Sequence, residues 1–197
     1  MTTQPENHNI IILGGCGTIG RKLKQAWPDA MSVDKNPAAD VVCDLAELAP
    51  DNLLFPLLET ADVVIHLATS ADPAHEDFIH FQSVIHSANL VAACVKAKVP
   101  KLIIASSDWA APKAPHLKVN TYGHAKRVLE AMAEMVAHQK DQDATAIRIG
   151  WVPDDTVDLE KVPAWLRENY WDDQKLVEIF RREIENRPKR PPLSPPV

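Results

Sequence analysis

Three side chains have the types and the spacing of an acid–base group. Tyr122 and Lys126 stand four positions apart, which places them one turn apart on the same face of a helix. A lysine ammonium beside a phenol favours the phenolate and lowers the pKa of Tyr122 from its ordinary value of about 10. Ser107, which ends an apolar run upstream, adds a hydroxyl that can orient the same substrate oxygen. Together the three residues predict proton exchange with a hydroxyl or carbonyl group.

A glycine-rich turn near the start of the chain predicts a dinucleotide site. The apolar run 9–13 leads into Gly14, Gly17 and Gly20, and a plausible helix follows. In a strand–turn–helix unit of this kind, the helix N-terminus offers N–H groups to a pyrophosphate. Asp34 ends the next apolar run, about 20 residues after the first glycine, where such folds place the acid that binds the adenosine ribose.

Apolar strand-like runs alternate with helical segments along the rest of the chain. Six runs are interpreted as strands, and the segments of about 73–98 and 120–139 as long helices. This alternation predicts an α/β fold, a doubly wound parallel sheet (Rossmann fold) with a minimal C-terminal substrate lobe. The predicted divisions are a dinucleotide-binding domain at 1–152, a small helical cap at 153–186 and a proline-rich, extended tail at 187–197.

Composition restricts the classes of partner. The net charge of −6 disfavours nucleic acid and an anionic membrane surface. We expect no membrane span and no signal peptide, since no apolar segment approaches the necessary length. The three cysteines lack metal-type spacing, which predicts buried, reduced thiols in a cytoplasmic protein. His75, His80 and His86 do not share one helix face, so no metal site is predicted.

These motifs together resemble the short-chain dehydrogenase/reductase superfamily, in its extended branch of NAD-dependent epimerases, dehydratases and dehydrogenases. The resemblance runs from about residue 9 to residue 153. It implies a catalytic triad of Ser107, Tyr122 and Lys126. The implied cofactor-binding residues are Gly14, Gly17, Thr18, Ile19, Gly20, Asp34, Asp44, Leu45, Leu67, Ala68 and Lys126. The candidate substrate contacts are Ser70, Asp108, Trp109 and Trp151.

The expected cofactor is NAD. Asp34 at the end of the second strand favours NAD, because the 2′-phosphate of NADP would meet a carboxylate there. Lys35 and Arg21 keep NADP open as the less favoured cofactor. Within the branch, residues 105–107 look most like those of uronate dehydrogenases, which oxidise hexuronic acids. Asp108 would repel an anionic sugar, so a uronate substrate is disfavoured.

Two functions are compatible with these residues. The first is an NAD-dependent oxidoreductase or epimerase that acts on a hydroxyl of a sugar-like small molecule. The second is a non-catalytic dinucleotide-binding sensor or scaffold module. The second is suggested because Ser83 stands where the branch usually carries asparagine, and because the segment after Val152 is too brief for the usual substrate lobe.

The helices carry two further predictions. Both long helices have apolar stripes broad enough to cover the sheet and a second surface, so a homodimer that packs through them is expected. A thicker monomer core is the alternative. Asp173 is expected to cap a last helix.

Overall fold

The computed structural model describes residues 8–47, 54–113 and 116–186. Its strands are β1 (Ile10–Leu13), β2 (Met31–Asp34), β3 (Val41–Val42), β4 (Val63–His66), β5 (Lys101–Ser107) and β6 (Asp143–Ile149). Its helices are α1 (Thr18–Ala26), α2 (Leu54–Thr60), α3 (Asp77–Lys96), α4 (Thr121–Ala137), α5 (Ala164–Arg167) and α6 (Asp173–Glu185). The six strands pair in parallel in the order β3-β2-β1-β4-β5-β6. This is the doubly wound Rossmann arrangement, so the predicted fold class is confirmed.

The central strands are apolar on both sides because helices cover both faces of the sheet. All four residues of β1 are buried. Ile11 and Leu13 pack into a core that contains residues of α2, α3 and α4. Ile10 and Ile12 pack into a second core that contains residues of α1 and α6. The run without polar alternation therefore reflects burial on two faces, as expected for a parallel sheet.

The last helix is part of the second core. Leu176 and Phe180 of α6 are fully buried against the sheet. The predicted cap at Asp173 is wrong by one residue, since the carboxylate of Asp172 accepts from the Lys175 N–H at 2.7 Å. Asp173 is the first residue of the helix and pairs with Lys22 at 2.8 Å. The division of the chain at residue 152 stays a prediction, and the predicted tail 187–197 lies outside the described residues.

Helix α3 differs from expectation in its length and its character. It spans Asp77–Lys96 rather than 73–98. By length and apolar composition alone it is long enough to cross a membrane, so the expectation of no such segment is wrong. One such helix is weak evidence, because core helices of soluble proteins meet the same criterion. Here Leu90, Val91 and Cys94 pack into the core beside the sheet. A cytoplasmic location stays a prediction.

Two smaller features were also not expected. The third strand is limited to Val41–Val42, at the edge of the sheet, although the run interpreted as a strand covers 40–45. Cys43 and Cys94 are buried as predicted, but Cys16 in the glycine turn is partly exposed.

Candidate active site

The turn between β1 and α1 follows a path that only glycine can take. Gly14 has a φ of +82°, and a Cβ placed on it would lie 2.8 Å from the backbone nitrogen of Ala68. A Cβ on Gly20 would overlap the carbonyl oxygen of Gly14. Gly17 is the N-cap of α1 and brings no side-chain oxygen to the first turn of the helix. Backbone N–H groups at a helix N-terminus suit an anion, so the turn fits a dinucleotide pyrophosphate.

The carboxylate of Asp34 is held against this turn. It accepts a hydrogen bond from the N–H of Cys16 at 3.0 Å and from the N–H of Asn36 at 3.0 Å. These bonds fix the carboxylate between the glycine turn and the loop that leaves β2. The position is that of the predicted ribose-binding acid, and this role of Asp34 stays a prediction.

The carboxyl ends of the strands open into one cleft of about 960 Å³. Every residue that the sequence assigns to the cofactor, the substrate or the reaction lines this cleft. These residues are Gly14, Gly17, Thr18, Ile19, Gly20, Asp34, Asp44, Leu45, Leu67, Ala68, Ser70, Ser107, Asp108, Trp109, Tyr122, Lys126 and Trp151. The fold therefore brings together seven separated segments, and the individual roles of the residues stay predictions.

The first turn of α4 positions Tyr122 and Lys126. Asn120 caps this helix, since its side-chain oxygen accepts from the N–H of Gly123 at 3.0 Å. A capped start fixes the first turn, which carries Tyr122. Tyr122 and Lys126 are 6% and 4% exposed, and the Lys126 Nζ atom lies 5.2 Å from the centre of the Tyr122 ring. The two residues share one helix face, as their spacing predicts.

Lys126 is anchored on the sheet side of the cleft. Its Nζ donates to Thr69 Oγ1 at 2.7 Å and to the carbonyl oxygen of Ala105 at 3.3 Å. Burial lowers the pKa of Lys126 to about 8. The ammonium thus has two fixed partners and titrates much closer to neutral pH than an exposed lysine does.

His66 lies under the same part of the cleft, at the end of β4. Burial, and to a smaller extent the charge of Lys126, lower the pKa of His66 to about 3, so the ring is neutral. Its Nε2 lies 2.8 Å from Ser87 Oγ, and that hydroxyl donates to the carbonyl oxygen of Ser83. Nε2 of His66 is therefore the donor to Ser87. Nδ1 is left as a buried acceptor with no hydrogen-bond partner among the described residues.

Ser107 and Asp108 both act on the phenol of Tyr122. The Ser107 hydroxyl donates to Asp108 Oδ1 at 3.0 Å and accepts from the N–H of Trp109 at 3.3 Å. Burial raises the pKa of Tyr122, and the charges of Asp108 and Asp72 raise it further. Hydrogen bonding with Ser107 acts in the opposite direction. The expected lowering of the Tyr122 pKa is therefore wrong, because desolvation and two carboxylates raise it by more than the hydrogen bond with Ser107 lowers it. Lys126 is not among the groups that shift it.

Asp108 itself is half-buried beside the phenol. Burial raises the pKa of its carboxyl group, while hydrogen bonds from Ser107 and from the Trp109 N–H oppose that rise. The neighbouring serine, Ser106, serves a different purpose, since its hydroxyl donates to Glu130 on α4 at 2.6 Å. Of the two serines that end β5, Ser107 is the one that contacts Tyr122, and its catalytic role stays a prediction.

Among the lining residues that sequence analysis did not assign to the site, three bear directly on its chemistry or shape. These are Thr69, Asp72 and Trp165. Thr69 directly follows Leu67 and Ala68, which were assigned to the cofactor, so its position in the chain was a usable signal. Asp72 and Trp165 lie in connecting segments whose path depends on tertiary packing, and no sequence pattern marks them.

The loop after β6 reaches across to the N-terminus of α1. Thr18 Oγ1 donates to Asp154 Oδ1 at 3.0 Å, and the Arg21 guanidinium lies 3.4 Å from the same carboxylate oxygen. Lys22 pairs with Asp155 at 2.6 Å. A carboxylate thus lies beside the helix end that is predicted to receive the pyrophosphate.

Comparison with known proteins identifies the family. The model of the NAD dependent epimerase/dehydratase family matches residues 10–152, which is more than half of the chain. The chain belongs to this family. The resemblance to the extended short-chain dehydrogenases is confirmed, and so is NAD as the cofactor, because the epimerase/dehydratase family is NAD dependent. No curated protein matches the chain in sequence.

Solved structures of several enzymes share the fold. A mutated uronate dehydrogenase is 19% identical, with a TM-score of 0.71 over 89% of this chain and 69% of its own. MoeE5 in complex with UDP-glucuronic acid and NAD is 24% identical, with a TM-score of 0.62 over 74% of this chain and 55% of its own. UDP-N-acetylglucosamine 4-epimerase from Methanobrevibacter ruminantium M1 is 23% identical, with a TM-score of 0.63 over 80% of this chain and 59% of its own. The chain thus spans little more than half of the length of two of these neighbours.

Proposed function

We propose that the protein is an NAD-dependent oxidoreductase or epimerase that acts on a hydroxyl of a sugar-like small molecule. One observation carries the proposal: Ser107, Tyr122 and Lys126 meet on the same cleft that the glycine turn lines. NAD, when bound, supplies the hydride acceptor. The glycine turn and Asp34 are the residues that would hold it.

Tyr122 is the acid–base group in this proposal. Its pKa is raised by burial, so the phenol is protonated at neutral pH and is ready to donate to a carbonyl oxygen. In the oxidative direction the phenol must first release its own proton to solvent, and the resulting phenolate then takes the proton of the substrate hydroxyl. Ser107 orients that substrate oxygen, and the ammonium of Lys126 stabilises negative charge on the phenol oxygen.

The test begins with calorimetric titration of the full chain with NAD and NADH. A panel of sugars and alcohols is then assayed for NAD reduction with the wild type and with Tyr122→Phe. We expect Tyr122→Phe to lower the turnover rate by about 10²–10⁴-fold while the affinity for NAD stays the same, because only the proton-transfer group is lost. Tyr170→Phe, at the other tyrosine of the chain, is the matched control. Absence of NAD binding, or equal rates in the wild type and Tyr122→Phe, would contradict the proposal.

The second candidate function is a non-catalytic NAD-binding module. It is favoured by Ser83, whose Oγ accepts from the N–H of Ser70 at 2.8 Å and offers no amide to order the site. The Ser107 hydroxyl donates to Asp108, and this contact also favours a module without catalysis. A module of this kind would bind NAD with ordinary affinity and reduce none of it in the presence of any alcohol.

We further propose that the protein forms a homodimer through α3 and α4. Phe78, Phe81 and Ile85 of α3 are 65%, 62% and 58% exposed, and Met135 of α4 is 70% exposed. An apolar face of this kind favours association over exposure to water. Sedimentation analysis of the wild type should give twice the mass of one chain, and Phe81→Glu should give a monomer. Val42→Glu, which adds the same charge at an exposed apolar residue on the edge strand, should stay dimeric; a monomeric wild type would refute the proposal.

A further inference from the structure

The cleft around Tyr122 is bounded by negative charge. Asp108 and Asp72 both line the cleft, and both act electrostatically on the phenol of Tyr122. Asp108 is half-buried, so water screens its charge less than it would at the surface. Asp72 is exposed at the cleft rim, where its carboxylate accepts from the N–H of Ala74 at 2.8 Å.

Little positive charge balances these two carboxylates. Among the described residues, Lys35 and Lys126 are the lysines that line the cleft, and no arginine lines it. Lys35 follows β2, on the side of the glycine turn, and the Nζ of Lys126 is turned to Thr69 and to the carbonyl oxygen of Ala105. Lys113 acts on Asp108 from an exposed position outside the cleft lining. His75 and His86 also line the cleft, and the buried ring of His80 lies 5.4 Å from the ring of Tyr122.

Aromatic rings line the same cleft. Trp109, Trp151 and Trp165 all line the cleft. The rings of Trp109 and Trp165 lie 6.4 Å apart in an edge-to-face arrangement. Indole faces attract cations, and carboxylates bind them, so the combination suits a positively charged group.

We propose that the substrate is an alcohol that carries an ammonium group, bound between the Asp72 and Asp108 carboxylates and the tryptophan rings. This inference rests on the proposed function and narrows its substrate class. A carboxylate or phosphate on the substrate would be repelled by the two carboxylates. Lys126, the described lysine at this end of the cleft, already donates to Thr69 and to the carbonyl oxygen of Ala105. An ammonium group would instead reduce the repulsion that the phenolate of Tyr122 feels from both carboxylates.

The test uses three pyranoses that differ at C6 alone: 6-amino-6-deoxy-D-glucose, D-glucose and D-glucuronate. Each is titrated into the full chain saturated with NADH, and the dissociation constant is measured by calorimetry and by ligand-observed NMR. We expect the ammonium sugar to bind about 10-fold more tightly than the glucuronate, with glucose between them. Asp108→Asn should reduce that ratio several-fold. Asp72→Asn changes an exposed residue and should reduce the ratio less than Asp108→Asn does.

Asp29→Asn is the control for net charge, since Asp29 is an exposed residue in the turn before β2 and does not line the cleft. It should leave the ratio unchanged. Glucuronate that binds as tightly as the ammonium sugar, a ratio unchanged by Asp108→Asn, or no binding of any of the three sugars would overturn the inference. Failure of NADH to bind at all would overturn the proposed function instead, so the two failures are distinguishable.

Discussion

Backbone groups form one end of the cleft, and side chains form the other. The glycine end, formed by residues 14–20 and Asp34, is shaped by backbone, and its one charged side chain is fixed by backbone N–H groups. The tyrosine end, formed by Ser107, Asp108, Tyr122 and Lys126, is built from side chains that alter one another's protonation. A backbone site depends on a local path of the chain, whereas a side-chain site depends on which segments the fold brings together.

This difference also concerns electrostatics. At the glycine end a helix N-terminus offers partial positive charge to an anion. At the tyrosine end two carboxylates act on a buried phenol, and burial lowers the pKa of the Lys126 ammonium to about 8. One end is therefore suited to phosphate groups, and the other disfavours them.

The largest expected effect is at the glycine end. Gly20→Ala would bring a Cβ into the carbonyl oxygen of Gly14 and to 2.7 Å from the carbonyl carbon of Gly15. Because backbone must move, we expect the free energy of unfolding to fall by about 1–3 kcal/mol and the affinity for NAD to fall by about 100-fold. Urea denaturation and calorimetry measure the two quantities.

Gly17→Ala tests NAD binding at the same turn with little change in the free energy of unfolding. A Cβ there has one neighbour, the Gly14 carbonyl oxygen at 3.3 Å, and the residue is exposed in an extended conformation. We expect a stability cost below about 1 kcal/mol, with a clear loss of NAD affinity. If Gly17→Ala bound NAD as the wild type does, the turn would not be the pyrophosphate site.

The second-largest expected effect is at the tyrosine end, where Lys126 makes the stability of the protein depend on pH. The pKa of Lys126 falls from 10.5 to about 8 on folding. Below pH 8 both states carry the charge, and the folded state bears the full cost of burying it. Between these two pKa values the folded protein has released a proton that the unfolded chain still holds, so stability rises with pH.

Lys126→Met should therefore be more stable than the wild type at pH 7, by a margin on the order of 3 kcal/mol that shrinks as the pH rises toward 10. Chemical denaturation at a series of pH values measures this margin. Burial raises the pKa values of Tyr122 and Cys94, which destabilises both proteins alike at high pH. The difference between the two proteins thus isolates Lys126; a margin independent of pH would contradict its depressed pKa.

The smallest expected effect concerns the loop after β6. Asp154→Asn removes a carboxylate from the N-terminus of α1, where it pairs with Thr18 and Arg21. The pair with Arg21 is exposed, so we expect NAD to bind only about 2–5-fold more tightly, and the gain to shrink with added salt. Asp155→Asn makes the same charge change one residue away and should alter the affinity less. An unchanged affinity for Asp154→Asn would mean that this carboxylate does not compete with the cofactor.

The sequence by itself determined the glycine end. The run 9–13, the three glycines and Asp34 are contiguous or nearly so, and backbone conformation depends on local residue types. For the same reason the positions of Tyr122 and Lys126 on one helix face were predictable from their spacing alone. The fold class followed from the alternation of strands and helices, and the family match confirms it.

Only the tertiary structure decided the electrostatics of the tyrosine end. The pKa of Tyr122 was predicted to fall because Lys126 is one turn away, but burial and the carboxylates of Asp72 and Asp108 raise it. Desolvation and contacts between distant segments have no signature in local sequence. These effects arise only in the folded chain, where Lys126 donates to Thr69 and Trp165 lines the cleft.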